Sequence, residues 1–272
     1  MTIQDFVNPG EFAADQQPLI SIIMQSFLGE YPGARSNPDT KFIRAVNSFK
    51  NQVYQNNELI IVADGCDLTK TLYEQHFADD PSIRLIYLSR NTNDGVTYEA
   101  VGDSQRYFRG YPRQIGVAAA MGDLISYMDS DDMMMVNHTL HLMMKYKEHP
   151  GKKWFSNRCW YDNAKSYTYR GDELAEDTGE SFKIPGLDEE WVKVRCRPRK
   201  YMRAPWVFAH IPSNKVKWRD VIGNNTEFAL REDADFISRF IEEHSGGVLM
   251  DRATYVRCHH VPASDIMQGW DC

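Results

Sequence analysis

Asp129, Asp131 and Asp132 place three carboxylates within four positions, at the end of the apolar run Gly122-Asp123-Leu124-Ile125-Ser126-Tyr127-Met128. Like charges this close repel and raise one another's pKa, so a strand that ends in them is poorly built for stability alone. A hard divalent cation, Mg²⁺ or Mn²⁺, takes oxygen ligands of this kind and is often shared with substrate phosphates. The competing reading at this level is a solvated acidic turn that caps the next helix, with Asp132 or Asn137 as N-cap. Other chemistry-bearing residues stand at comparable punctuation points: Gln25 and Asp64 after apolar runs, Arg113 before a small-residue helix, the pair Glu232-Asp233, and His259-His260.

The elements that must position these residues follow from periodicity. Leu19 to Met24, Leu59 to Val62 and Ile83 to Leu88 are short, β-rich apolar runs of the kind that form buried parallel strands. Helical spacing separates them: Phe42, Ala45, Val46 and Phe49 make an amphipathic stripe, with Asp39 or Thr40 as N-cap, and Leu68 to Phe77 forms a second helix. The order strand, helix, strand, helix, strand implies βαβ units around a parallel sheet. Ligands of such sheets sit at the carboxyl ends of the strands. Gln25, Asp64 and Asp129 all fall there, on three separate strands.

Pro112 opens the helix that leads to the acidic strand, its small residues suited to close packing beneath that strand. Arg113 in its first turn is either a surface cation or a clamp on a phosphate or carboxylate. Met133 to His149 reads as a helix, and Tyr161 to Asp188 as a long polar loop. Val192 to Arg197 alternates as a solvated edge strand would. Arg231 to Ile241 is a helix with Phe236, Ile237, Phe240 and Ile241 on one face. Gly247 to Met250 and Thr254 to Cys258 are late strands.

With 272 residues and 42% hydrophobic content, the chain is long enough to bury one large α/β core. A net charge of −7 argues against a nucleic-acid partner. No stretch approaches the ~20 apolar residues that span a bilayer, although peripheral membrane contact stays compatible. Met1 to Gln17 is polar and acidic, unlike a secretory leader. The five cysteines are scattered without a C-x-x-C pair, which fits a reducing, cytoplasmic setting.

In their order, these pieces resemble a GT-A nucleotide-sugar glycosyltransferase of the family 2 type. The resembling segments are Ser21 to Phe27, Glu58 to Gly65, Arg113, Gly122 to Asp132, Glu232-Asp233 and Tyr255 to His260. The resemblance implies a single Rossmann-like α/β domain with a mainly parallel central sheet flanked by helices, and a smaller mixed C-terminal acceptor-side part. An arm (1–18) would precede a nucleotide-sugar-binding half (19–136) and an acceptor-binding half (137–272).

Carried over residue by residue, it implies that Gln25, Ser26, Phe27, Asp64, Arg113, Asp129 and Ser130 face the nucleotide. Asp131 would meet the metal directly, Asp129 the ribose or a metal-bound water, and His259 or His260 would complete the metal shell. Asp233 would be the general base, with Glu232 beside it. Ala63 and Cys66 depart from the family pattern, which usually has Asp and Ser there.

The reaction implied is metal-dependent transfer of a sugar, with inversion, from a nucleoside diphosphate-sugar (UDP favoured) to a glycan, lipid-linked or other hydroxyl acceptor. Trp160, Tyr161, Trp191 and Trp206 are candidates for stacking on a sugar. A nucleotidyltransferase using a nucleoside triphosphate and a non-catalytic nucleotide- or sugar-binding module are the alternatives. A haloacid-dehalogenase phosphohydrolase wants its D-x-D on the first strand. An EF-hand wants Gly and Glu where Met134 and Leu140 stand. A dinucleotide oxidoreductase wants G-x-G-x-x-G after the first strand.

Overall fold

A computed structural model of the chain describes residues 17–29, 37–89, 110–162, 175–183, 190–196, 205–219 and 232–257; for 158–162, 175–183, 190–196, 206, 251–253 and 256–257 it describes the backbone alone. Continuous Ile and Val runs demand burial on both faces, and the first two strands obtain it. β1 (Ile20–Ser26) and β2 (Asn57–Asp64) are buried almost throughout. β1 pairs in parallel with β2 on one side and with β4 (Leu124–Asp129) on the other, and β3 (Ile83–Leu88) continues beyond β2. The resulting order, β3-β2-β1-β4, reverses at β1. In sheets of this kind ligands bind where the order reverses, here at the carboxyl ends of β1 and β4.

The remaining described strands extend this sheet through β9 (Phe208–His210), β6 (Trp154–Asp162), β10 (Val248–Arg257) and β5 (Met133–Met134). β9 runs antiparallel to β4 and β6, whereas β10 runs parallel to β6. β8 (Glu190–Cys196) pairs with β6, and β7 (Ala175–Lys183) with β8. The architecture is therefore α/β, with a parallel first half and a mixed second half.

α1 (Pro38–Lys50) buries the predicted stripe of Phe42, Ala45, Val46 and Phe49. Its N-cap is Asn37, in a left-handed conformation (φ 52°) with no side-chain capping bond, rather than Asp39 or Thr40. Pro38 at the first helical position has no N–H, so the helix begins with one fewer unpaired donor. α2 is Asp67–His76. α3 (Gly110–Ala119) lies over β1 and β2 rather than beneath the acidic strand. A Cβ on Gly116 would stand 2.4 Å from Ile23 and 3.3 Å from Val62, so glycine sets the helix-to-sheet distance there.

Several expectations are corrected. The segment after the acidic cluster is a strand before it is a helix: β5 pairs with β10, and α4 begins at His138 and ends at Glu148. Asn137 occupies the N-cap position without a side-chain capping bond, so neither it nor Asp132 works as the acidic-turn reading requires. Part of the predicted loop 161–188 is β7, and β8 is an inner strand, paired on both sides, rather than an edge. The two late strands are one, β10. β9, whose three residues are too few for periodicity to register, went unpredicted. The N-terminal arm lies outside the described residues up to residue 16.

Candidate active site

Parallel pairing sets the tips of β2, β1 and β4 side by side. Gln25 is the register partner of Val62 on one side and of Asp129 on the other, and Ser26 is opposite Ala63, one residue before Asp64. Neighbouring strands lie ~4.8 Å apart, so the three tips form one rim. Gly65 turns the chain immediately after Asp64 with φ 62°, a backbone that other residues rarely adopt, and its N–H donates to the carbonyls of Ala63 and Leu88. Asp64 itself is fully buried.

The side chains of the rim divide. Gln25 is half-buried, and its Oε1 is buried with no hydrogen-bond donor against it among the described residues. Ser26 points into the fold, its hydroxyl 2.8 Å from that of Thr69 on α2. Phe27 is half-buried against the core. Cys66 is buried and accepts the Leu28 N–H at 3.2 Å.

Asp129, Asp131 and Asp132 each bring a carboxylate oxygen within 4.8 Å of the others. Asp129, Ser130 and Asp131 are half-buried, and Asp132 is buried. The three residues Ser130 to Asp132 span two strands that are both locked into the sheet, β4 and β5, and the Asp132 N–H donates to the Asp129 carbonyl at 3.3 Å.

Two residues that sequence reasoning missed grip this loop. Arg44 on α1 is 1% exposed, and its Nη2 donates to the Asp131 carbonyl at 2.6 Å; its Nε and Nη1 are buried without acceptors among the described residues. Tyr255 on β10 accepts the Asp129 N–H at 3.1 Å and donates to Asp132 Oδ2 at 3.2 Å. Burial pushes the Tyr255 hydroxyl well above its ordinary pKa, and the neighbouring carboxylates add to that, so it stays protonated. An arginine at a helical core position and a tyrosine in a late strand look like ordinary packing residues; nothing in their local spacing marks a partner some hundred residues away.

Arg113 is buried, not a surface cation. Its Nη1 pairs with Glu232 Oε1 at 2.9 Å, its Nη2 is 3.9 Å from Asp129 Oδ1, and its guanidinium lies 4.9 Å from the centre of the Trp218 ring. It thus ties the acidic strand to α5 (Glu232–Glu243). An aromatic stack carries α5 into place: Trp218 lies flat on Phe236 at 4.2 Å, and its Nε1 donates to the Tyr127 hydroxyl at 2.8 Å. That hydroxyl is 2.6 Å from His210 Nε2, while His210 Nδ1 donates to the Ile211 carbonyl. Burial pushes the His210 imidazole down to about 4 and that of His138 to about 3, so both are neutral.

The first turn of α5 carries its acids indoors. Glu232, Asp233 and Asp235 are all buried, which goes beyond the usual dipole-complementing surface acids. Asp235 is held by Arg219 (2.7 and 2.9 Å) and by Arg239 (2.6 and 2.9 Å). Asp233 Oδ1 accepts the Ala234 N–H at 2.8 Å. Glu232 Oε2 is buried with no hydrogen-bond partner among the described residues.

The structure therefore places Gln25, Asp64, Arg113, Asp129, Ser130, Asp131, Glu232 and Asp233 at neighbouring strand ends and at the starts of two helices, α3 and α5, which the Arg113–Glu232 pair links. His259 and His260 lie outside the described residues, as do the side chains of Trp160, Tyr161, Trp191 and Trp206. An all-oxygen set of three carboxylates at this spacing fits a hard divalent cation.

No protein-family model matches the chain. A curated protein of Haemophilus influenzae, described as an uncharacterized glycosyltransferase, is 29% identical over 118 residues, 43% of this chain and 38% of that protein. Among solved structures, S. aureus TarS 1–349 in complex with UDP-GlcNAc superposes with a TM-score of 0.59 at 16% identity, covering 88% of this chain and 58% of that one. The same protein in complex with UDP gives a TM-score of 0.59 at 16% identity, covering 92% and 62%. The chain spans less than two thirds of the length of these relatives. The chain is accordingly similar over 118 residues to a glycosyltransferase, and its fold is GT-A-like.

Proposed function

We propose that the chain is a family 2 type glycosyltransferase that moves a sugar from a UDP-sugar to a hydroxyl acceptor, with inversion and with help from Mn²⁺ or Mg²⁺. The observation that carries this reading is the convergence of Gln25, Asp64 and the Asp129–Asp131–Asp132 triad on one strand-end rim, beside the Arg113–Glu232 pair. The UDP-GlcNAc and UDP bound by TarS support the choice of donor.

On this reading the base lodges between Gln25, Phe27 and Asp64, with Asp64 accepting a base N–H. Ser26 contributes through its backbone, its hydroxyl being engaged by Thr69. Asp131, with Asp129 and with His259 or His260, would hold the cation, and Ser130 lies on the nucleotide side. A cation held there would supply Lewis-acid stabilisation of the departing diphosphate. Arg113 adds a fixed positive charge beside Asp129 and orients Glu232. Asp233 accepts the proton of the attacking hydroxyl, a role that needs a carboxylate ~2.6–3.2 Å from it. The acceptor, a glycan, a lipid-linked sugar or another alcohol, is bound by the C-terminal half. No described helix is long and apolar enough to cross a membrane.

A thermal-shift screen of nucleoside diphosphates, their sugars and nucleoside triphosphates, each with and without Mn²⁺, tests the proposal, because a ligand of the native state raises its melting point. A Mn²⁺-dependent rise with UDP or a UDP-sugar is expected. A rise confined to triphosphates would point to nucleotidyl transfer instead, and no nucleotide-dependent rise would contradict the reading.

A further inference from the structure

We infer that Tyr255 is a positioning residue for the acid loop, its hydroxyl holding Asp129 and Asp132 in a cation-binding arrangement before any ion arrives. The inference rests on the metal reading above and concerns a residue that reading does not use. Tyr255 is fully buried and 123 positions away from Asp132 in the chain, so its contact with the loop is a product of the fold rather than of local sequence. The hydroxyl takes the N–H of the first residue of the turn and gives its proton to the carboxylate of the last, so one oxygen closes the span.

The strand that bears it is fastened to the far side of the same loop. Tyr255 is the register partner of Met134 and Val256 that of Met133, the two residues that follow Asp132. The ring is held from behind as well. His138 meets it edge-on at 6.0 Å, and its Nδ1 is 2.9 Å from the Thr254 hydroxyl one residue earlier on β10.

Three carboxylates drawn within 4.8 Å would relieve their repulsion by spreading apart. A loop free to do so would have to be gathered again each time a cation bound. The bridge removes that freedom by fixing the first and last residues of the turn to one oxygen. Hydrogen-bonding partners behind a ligand set are typically worth ~10–100-fold in metal affinity.

Tyr255→Phe deletes one oxygen and keeps the ring, so it separates this role from core packing. The comparison variant is Tyr54→Phe, which also loses a buried hydroxyl bond, to the Pro18 carbonyl at 2.6 Å, far from the acids. Each full-length protein is titrated with Mn²⁺ alone, by calorimetry and by electron paramagnetic resonance. Wild type and Tyr54→Phe should bind alike, and Tyr255→Phe roughly tenfold or more weakly with an altered Mn²⁺ spectrum. UDP affinity in metal-free buffer should be the same in all three. Mn²⁺ affinity of Tyr255→Phe within twofold of wild type would overturn the inference, as would an equal loss in Tyr54→Phe. Absence of Mn²⁺ binding by wild type would instead overturn the metal reading itself.

Discussion

The two edges of the parallel sheet bury carboxylates in opposite ways. At the amino-terminal edge Glu58 has both oxygens engaged: Oε1 accepts from Ser21 Oγ (2.6 Å) and the Met121 N–H (2.7 Å), and Oε2 pairs with Arg84 (2.6 Å). Gly122 N–H donates to the same Ser21 hydroxyl, and Leu19 and Asp123 bond each other's chain. One donor, Arg84 Nε, is left over among these groups. At the carboxyl edge Gln25 Oε1, Glu232 Oε2 and two donors of Arg44 have no partner among the described residues, and three acids are held together. Buried polar atoms cost stability when unmatched. The first edge is thus matched almost group for group, and the second, on the proposed reading, has acceptors and donors to offer a ligand.

The contrast predicts which variants lose activity and which lose stability. The largest effect belongs to Asp233→Asn. Sugar transfer should fall roughly 10²–10⁴-fold while UDP-sugar affinity stays within twofold, because a general base contributes about that much to rate and nothing to donor binding. Turnover near the wild-type level would remove Asp233 from the role.

Next comes pH. His138 and His210 are held neutral by burial, with pKa values of about 3 and about 4 against about 6.5 in the unfolded chain. The unfolded state therefore binds more protons as pH falls below 6.5, and stability drops with it down to about pH 4. Each histidine contributes roughly 1.4 kcal/mol per unit, about 4 kcal/mol for the two together between pH 6.5 and 5. Urea denaturation at pH 7 and pH 5 measures this; equal midpoints would show that the histidines are not buried neutral.

Glu58→Ala at the other edge strands the Met121 N–H and the Ser21 hydroxyl. A cost of about 2–3 kcal/mol is expected, seen as a melting point lower by several degrees, with Mn²⁺ affinity unchanged. A loss of Mn²⁺ binding would blur the distinction between the edges. The smallest effect is that of Ser26→Ala, about 1 kcal/mol for the bond to Thr69, with donor affinity unaltered. A marked loss of UDP affinity would return that hydroxyl to the nucleotide.

How much of this the chain discloses before folding depends on the range of the interaction. Ile20 to Ser26 and Asn57 to Asp64 are legible because a parallel strand buried on both faces has to be a continuous apolar run. The stripe of α1 is legible because its four residues share one helical face. Gln25, Asp64 and Asp129 are placed correctly by strand order alone. β5 was hidden, because Met133-Met134 fits a helix until β10 arrives to pair with it. The grip of Arg44 and Tyr255 was hidden for the same reason, their partners being 87 and 123 residues away. Arg113 was ambiguous until α5 delivered Glu232 to it.

The central claim is that the acid triad holds a cation through which a nucleoside diphosphate is bound, and calorimetry of UDP binding to wild type and to Asp131→Ala, with and without Mn²⁺, tests it most directly. Wild type should bind UDP at least tenfold more tightly with Mn²⁺ present, and the variant should show no such gain. Equal UDP affinity in all four titrations would contradict the account.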